Sequence, residues 1–85
     1  MTGEELLVQA AIVVDQRREV YGEPRLLFER VAVRWSQHLG IEVTAVQVGL
    51  CLTDLKLARL TIDPGHLDSL IDVAGYVACV REVQR

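Results

Sequence analysis

Apolar residues recur at intervals of three and four along most of the chain, the spacing of an α-helix with one face turned inwards. Four segments show this pattern, and glycine or proline lies near each break between them. The predicted helices cover residues 3–20, 24–39, 44–60 and 64–83. No segment shows the period-two alternation of a half-buried strand. The pattern therefore predicts one all-α domain of four helices over residues 1–85.

Local signals indicate where these helices begin and end. In a capping box, a threonine side chain and a Glu or Gln three residues later satisfy each other's backbone N–H groups. Two pairs match this pattern, Thr2 with Glu5 and Thr44 with Gln47. Gly40 suits the left-handed residue that ends a helix. Asp63 is the predicted N-cap of the fourth helix, with Pro64 as its first residue.

The third predicted helix is apolar on nearly every side between Ala45 and Leu60. A helix of this kind is normally central and covered by its neighbours, so we expect it to be the most buried element. Cys51 in this helix and Cys79 in the fourth are expected to be buried as small hydrophobic residues.

Composition predicts an oligomer. Of the 85 residues, 51% are hydrophobic, and the mean hydropathy is +0.25. A chain of this size buries only about 60–65% of its unfolded surface, so much apolar surface remains outside its own core. A second copy of the same chain is the commonest cover for such surface. We therefore expect a homo-oligomer in which helices are shared between subunits.

Charge and hydropathy narrow the classes of partner. A formal net charge of −3 argues against nucleic acid as the main partner, because phosphate backbones require a basic surface. The first residues, MTGEELL, are acidic where a secretory leader is basic. The longest apolar runs are about five residues, against the roughly 20 that span a bilayer. These features predict a cytoplasmic protein without a membrane segment.

Charged residues on the two most apolar helices are the best functional clue. Buried charges are costly unless they pair or bind a ligand. Asp68 and Asp72 are four residues apart and share one helix face, and a tight turn would fold that face back toward Arg59. The predicted site lies between helices three and four and gathers Lys56, Arg59, Asp68, Asp72 and Tyr76. Structural ion pairs and a ligand site both remain open interpretations, and they can coexist.

Three motifs resemble a domain-of-unknown-function family of tailed phages and prophages. The motifs are YGEP followed by F and VAVRW, then LKLARL, then PGHLDSLIDVAGYVA. The matching positions are Tyr21, Gly22, Glu23, Pro24, Lys56, Arg59, His66, Asp68, Ser69, Asp72, Gly75 and Tyr76. The resemblance covers about residues 17 to 79, and one departure from it is Leu27, where an amide residue is expected.

That family is in turn similar to the MazG-like all-α nucleoside-triphosphate pyrophosphatases. The similarity implies an oligomer and a Mg²⁺-bound triphosphate substrate, held by E-x-x-E and E-x-x-D helices. The spacing of Asp68 and Asp72 differs from both motifs. Two carboxylates also supply few hard ligands for a multi-metal clamp. The resemblance therefore supports a nucleotide-like ligand more than it supports turnover.

Three functions are consistent with these features. The first is a phage protein that binds a nucleotide or a nucleotide-derived signal in a homo-oligomer and sequesters a host immune signal, with no cofactor required. Its candidate ligand-binding residues are Lys56, Arg59, Asp68, Asp72, Tyr76, Tyr21, Arg25 and His66. The second is a Mg²⁺-dependent pyrophosphatase-like hydrolase with Asp68 and Asp72 as metal ligands. The third is a purely structural oligomer whose charges pair with one another.

Overall fold

The computed structural model describes residues 1–84 and contains four α-helices. They are α1 (Gly3–Tyr21), α2 (Pro24–Leu39), α3 (Ala45–Ile62) and α4 (Leu67–Val83). The described residues form no strand, so the predicted all-helical, four-helix architecture is confirmed. None of these helices is long and apolar enough to cross a membrane. The last residue of the predicted domain, Arg85, lies outside the described residues.

Most helix ends form where the local signals place them. Both predicted capping boxes are present, at Thr2 with Glu5 and at Thr44 with Gln47. Gly40 ends α2 in the left-handed conformation with a φ of 69°. Short-range chemistry is sufficient at these positions, because both partners in each cap lie within four residues of each other.

The start of α4 differs from the prediction. The helix begins at Leu67, and its N-cap is His66, whose imidazole accepts a hydrogen bond from the backbone N–H of Ser69. Asp63 instead ends α3. The residues between form a turn closed by the His66 N–H to the Asp63 carbonyl at 3.1 Å, with Pro64 in the second position. Proline is favoured at that position of a turn as well as in a first helical turn, and here the turn forms.

The core lies where α2, α3 and α4 meet. Phe28, Ala32 and Val48 are buried at its centre. Nine partly buried residues pack around them, namely Leu27, Val31, Trp35, Val43, Ala45, Leu52, Tyr76, Cys79 and Val83. The two bulky aromatic residues of α2 therefore serve as packing groups, as their helical spacing indicates.

The most covered helix is α4 and not α3. It contacts each of the other three helices, and every residue from Ser69 to Tyr76 is buried or partly buried. By contrast, large apolar side chains of α3 face outwards in the single chain, at Leu50, Leu55, Leu57 and Ile62. Cys51 is exposed on the same helix, so its predicted burial is wrong, and Cys79 is only partly buried. The thinnest dimension of the molecule is 20 Å, about two helix diameters, so no helix is enclosed on all sides.

Candidate functional site

A cavity of about 400 Å³ lies between the second half of α1, the start of α2 and the facing sides of α3 and α4. Its size falls within the usual range for small-molecule sites. Most of the lining is apolar and comes from Val13, Val14, Leu27, Phe28, Leu52 and Ile71. The polar and charged lining residues are Arg17, Arg18, Tyr21, Lys56, Asp72 and Tyr76. An apolar cavity with a few convergent polar groups is typical of a ligand site.

Asp72 is the centre of the charged cluster. Its Oδ2 lies 3.1 Å from Nζ of Lys56 on α3, and its Oδ1 lies 3.2 Å from Nη2 of Arg17 on α1. The Asp72 side chain is only 12% exposed, whereas that of Arg17 is 50% exposed. A carboxylate this covered needs a partner, and two cations from two other helices supply it. The cluster carries two positive charges against one negative charge.

Arg18 belongs to the cavity wall, but its charge is used elsewhere. Its guanidinium contacts the carboxylates of Glu23 and Glu82. Like any arginine it is a cation at physiological pH, and the hydrogen bond to Glu82 raises the pKa of Arg18 further. Two carboxylates around one guanidinium leave no positive charge from Arg18 for a ligand.

Cys79 lines the same cavity as a neutral group. Burial raises the pKa of its thiol, and the nearby Glu82 carboxylate adds to that effect. A thiol with a raised pKa stays protonated at neutral pH and contributes apolar surface. The cavity floor around Cys79 is therefore suited to an apolar or aromatic part of a ligand.

Two tyrosines stand at different depths of the cavity. Tyr76 is partly buried and packs against the core. Tyr21, at the end of α1, is 64% exposed and lies at the mouth. Tyrosine combines a flat apolar ring with a hydroxyl group, which suits stacking on a base and hydrogen bonding to a sugar.

The structure brings some of the predicted site residues together and separates others. Lys56, Asp72, Tyr76 and Tyr21 all line the cavity. Asp72 pairs with Lys56, which lies one turn earlier on α3 than Arg59, and Arg59 contacts His66 instead.

The other four candidates lie outside the cavity lining. Arg59 is exposed, and its Nη2 lies 3.2 Å from Nε2 of His66. The other nitrogen of the His66 ring faces Ser69, so this residue acts as a helix cap. Asp68 is exposed in the first turn of α4. Arg25 pairs along its own helix with Glu29 at 3.3 Å.

Arg17 was missed as a site residue by the sequence interpretation. Its spacing does contain a signal, because Val13, Val14, Arg17 and Tyr21 follow the three-and-four spacing of one helix face. What the sequence does not contain is which helix lies across α4. The packing of α1 on α4 brings Arg17 to Asp72, and this packing is a tertiary feature.

The acidic groups do not form a metal-binding cluster. Within residues 1–84, no three His, Cys, Asp or Glu side chains gather as they would around a metal ion. Both oxygens of Asp72 already contact cations, and Asp68 lies outside the cavity lining. This donor set does not fit a multi-carboxylate Mg²⁺ clamp.

Comparison with known proteins places the chain among phage proteins. It is 32% identical over 81 residues to the gene 55 protein of Mycobacterium phage D29, covering 94% of this chain and 54% of that protein. It is 32% identical over 74 residues to the gene 55 protein of Mycobacterium phage L5, covering 86% and 47%. The chain thus spans about half the length of these curated relatives. No solved structure matches it significantly.

A family model covers nearly the whole chain, from residue 5 to residue 84. Together with the two phage relatives, this match confirms the resemblance to a phage domain of unknown function. The similarity to MazG-like enzymes stays a prediction. The chain belongs to the family described as Domain of unknown function (DUF6378).

Proposed function

We propose that the protein binds a nucleotide or a nucleotide-derived small molecule in the cavity between α1, α2, α3 and α4. One observation carries the proposal. Arg17 and Lys56, from helices that do not pack against each other, converge on Asp72 at the edge of an apolar cavity that also presents two tyrosines. Cations beside a flat apolar surface match the phosphate and the base of a nucleotide.

The exposure of the two cations supports ligand binding over a purely structural pair. Lys56 is 27% exposed and Arg17 is 50% exposed, while the carboxylate between them is 12% exposed. Each cation therefore keeps part of its hydrogen-bonding capacity toward the cavity or solvent.

The same proposal includes a homo-oligomer. On α3, Leu50 and Leu57 are seven residues apart on one exposed face and are 50% and 46% exposed, and Leu55, farther round the helix, is 63% exposed. A typical interface covers about 800 Å² on each partner, roughly one seventh of the 5944 Å² surface of the chain. A second copy of this chain is the occupant we propose, because it supplies an equally apolar face without any further partner.

The nucleotide-binding proposal has one extension and one alternative. For a member of a phage family, the biological use we propose for such binding is sequestration of a host signalling nucleotide in the host cytoplasm. A pyrophosphatase-like activity remains the alternative from the MazG-like resemblance. Arg17 and Lys56 already neutralise the Asp72 carboxylate, which a Mg²⁺-dependent hydrolase would need as a metal ligand. This arrangement favours binding without turnover.

The test compares two alanine variants on the same helix. Lys56→Ala removes a cation from the cavity, and Arg59→Ala removes one that lies outside it and contacts His66. Calorimetry with a panel of mono-, di- and triphosphate nucleotides, with and without Mg²⁺, measures binding, and chromatography of the same mixtures measures product. We expect Lys56→Ala to weaken binding at least tenfold and Arg59→Ala to leave it within twofold of the parent.

Stability distinguishes a binding role from a folding role. Because Asp72 keeps Arg17 as a partner in Lys56→Ala, we expect that variant to lose no more than about 1 kcal/mol of unfolding free energy. A parent protein that binds no nucleotide would refute the proposal. A product that appears only with Mg²⁺ would establish the hydrolase in its place.

A further inference from the structure

We infer that the cavity accepts a ligand with a single phosphate group, as a monoester or a diester, and discriminates against diphosphate and triphosphate chains. This inference rests on the proposed function and specifies its ligand class. It follows from how many positive charges the cavity offers, where the neighbouring carboxylates lie, and which part of the lining is apolar.

The charge excess of the cavity is small. Arg17 and Lys56 both contact Asp72, so two cations share one carboxylate and leave one net positive charge. A phosphodiester carries a single negative charge, and a phosphomonoester carries about 1.5 to 2 at neutral pH. Either is close to what the cluster can balance. A triphosphate carries several more negative charges and would leave most of them without a partner in a partly enclosed site.

The surroundings of the cluster give a second phosphate no favourable position. Arg18, beside the cluster, already pairs with Glu23 and Glu82. These three residues and Arg25 line a neighbouring groove. That groove is lined by two arginines and two glutamates, so its charges balance and it offers a second phosphate no excess positive charge.

The remaining lining of the cavity is apolar, and it disfavours a polyphosphate because of the cost of desolvation. Val13, Val14 and Leu52 form apolar walls. Moving a charged phosphate against such a surface costs its hydration without replacing it. The apolar walls and Tyr76 instead suit the nucleoside part of the ligand. The cavity thus offers one anionic position next to one aromatic position.

The first experiment measures the discrimination directly. Calorimetry without Mg²⁺ compares AMP and 3′,5′-cyclic AMP with ADP and ATP on the parent protein, and the guanine series is measured in the same way. We expect the better of the two single-phosphate ligands in one base series to bind at least tenfold more tightly than ATP or GTP. The ratio between monoester and diester identifies which of the two sources of a single phosphate the site prefers.

The second experiment changes the charge of the cluster. Asp72→Asn raises the net positive charge of the cluster from one to two. We expect the ratio of affinities between single-phosphate ligands and di- or triphosphates to fall at least fivefold. Asp68→Asn is the matched control, since it makes the same change at an exposed carboxylate outside the cavity, and its preference should equal that of the parent. Arg17→Gln removes the excess, and we expect it to weaken binding of the single-phosphate ligands at least tenfold.

The outcomes separate this inference from the proposed function. If ATP or GTP binds as tightly as the single-phosphate ligands without Mg²⁺, the cavity is a nucleotide site but the inference is wrong. An unchanged preference in a folded Asp72→Asn variant would also overturn it. If Asp72→Asn does not fold, Arg17→Gln provides the test. Unaltered binding of AMP by that variant would show that the net positive charge of the cluster does not determine affinity, and the inference would be wrong. If no nucleotide binds, both the inference and the proposed function fail.

Discussion

Gly49 on α3 lies in close contact with both α2 and α4. A Cβ atom at this position would lie 2.5 Å from Cγ2 of Val80 and 3.2 Å from Cε2 of Phe28. Both distances are shorter than ordinary carbon contacts, so the absence of a side chain is what allows the three helices to pack at this depth. Gly75 differs, since its Cβ would meet only Cγ2 of Val14, at 3.4 Å.

The two glycines therefore respond oppositely to alanine. Each substitution gains up to about 1 kcal/mol of helix propensity. At Gly49, overpacking against a β-branched valine costs about 1–3 kcal/mol, so we expect a net loss of up to about 2 kcal/mol. Gly75→Ala should leave stability equal or slightly higher. Urea denaturation followed by circular dichroism measures both variants, and a Gly49→Ala protein as stable as Gly75→Ala would contradict the packing.

The residue scale also shows what sequence patterns can and cannot predict about the site. The cost of charges on apolar helices drew attention to Lys56 and Asp72, which pair in the structure. Helical spacing alone places Asp72 and Tyr76 on one face, and all three residues line the cavity. The choice of Lys56 over Arg59 as the partner of Asp72 depends on how α3 and α4 pack along each other, which is a tertiary feature.

At the scale of elements, helix ends were predictable where one local signal stood alone and not where two competed. The capping boxes at Thr2 and Thr44 have no competing signal nearby. Between α3 and α4, Asp63 and Pro64 match both a helix start and a turn, and His66 is an uncommon cap. The turn forms, and the helix begins three residues later than predicted.

His66 should therefore contribute to stability as a cap. Its Nδ1 accepts the N–H of Ser69 at 3.2 Å and lies 2.8 Å from the Ser69 hydroxyl oxygen, and Ser69 is only 1% exposed. We expect His66→Ala to lower the unfolding free energy by about 1 kcal/mol. His66→Asn should restore most of the loss, because asparagine is a good cap.

The control for this measurement is His38→Ala. His38 is exposed in the last turn of α2, and its removal should change stability by less than about 0.5 kcal/mol. Chemical denaturation of all three variants at one pH makes the comparison. Equal stability of His66→Ala and the parent would show that the cap has no energetic role.

At the scale of the whole molecule, the sequence predicted the helices but not which of them is central. The apolar character of α3 on all sides indicated a covered helix, yet its outer side is open in a molecule only 20 Å thick. Hydropathy reports how much surface must be covered and not what covers it. Neighbours within the chain cover α4, which contacts all three other helices. For α3, any further cover would come from outside the chain.

We expect that cover to be a second copy, and the mass in solution tests it. Light scattering at micromolar concentration should report a multiple of the 9.5 kDa chain mass. Leu57→Glu places a charge on the outer side of α3, where Leu57 is 46% exposed in the single chain. In a lone chain this change would cost less than about 0.5 kcal/mol. Buried in an interface, an unpaired carboxylate is expensive, so the variant should dissociate.

Leu26→Glu is the matched control, because Leu26 is similarly exposed, at 53%, but lies on α2. If α3 forms the interface, this variant keeps the parent mass while Leu57→Glu does not. Loss of the oligomer in Leu26→Glu alone would move the interface to α2. A parent protein that scatters as a 9.5 kDa species would exclude the oligomer. The apolar side chains on the outer face of α3 would then be exposed to solvent in the functional protein.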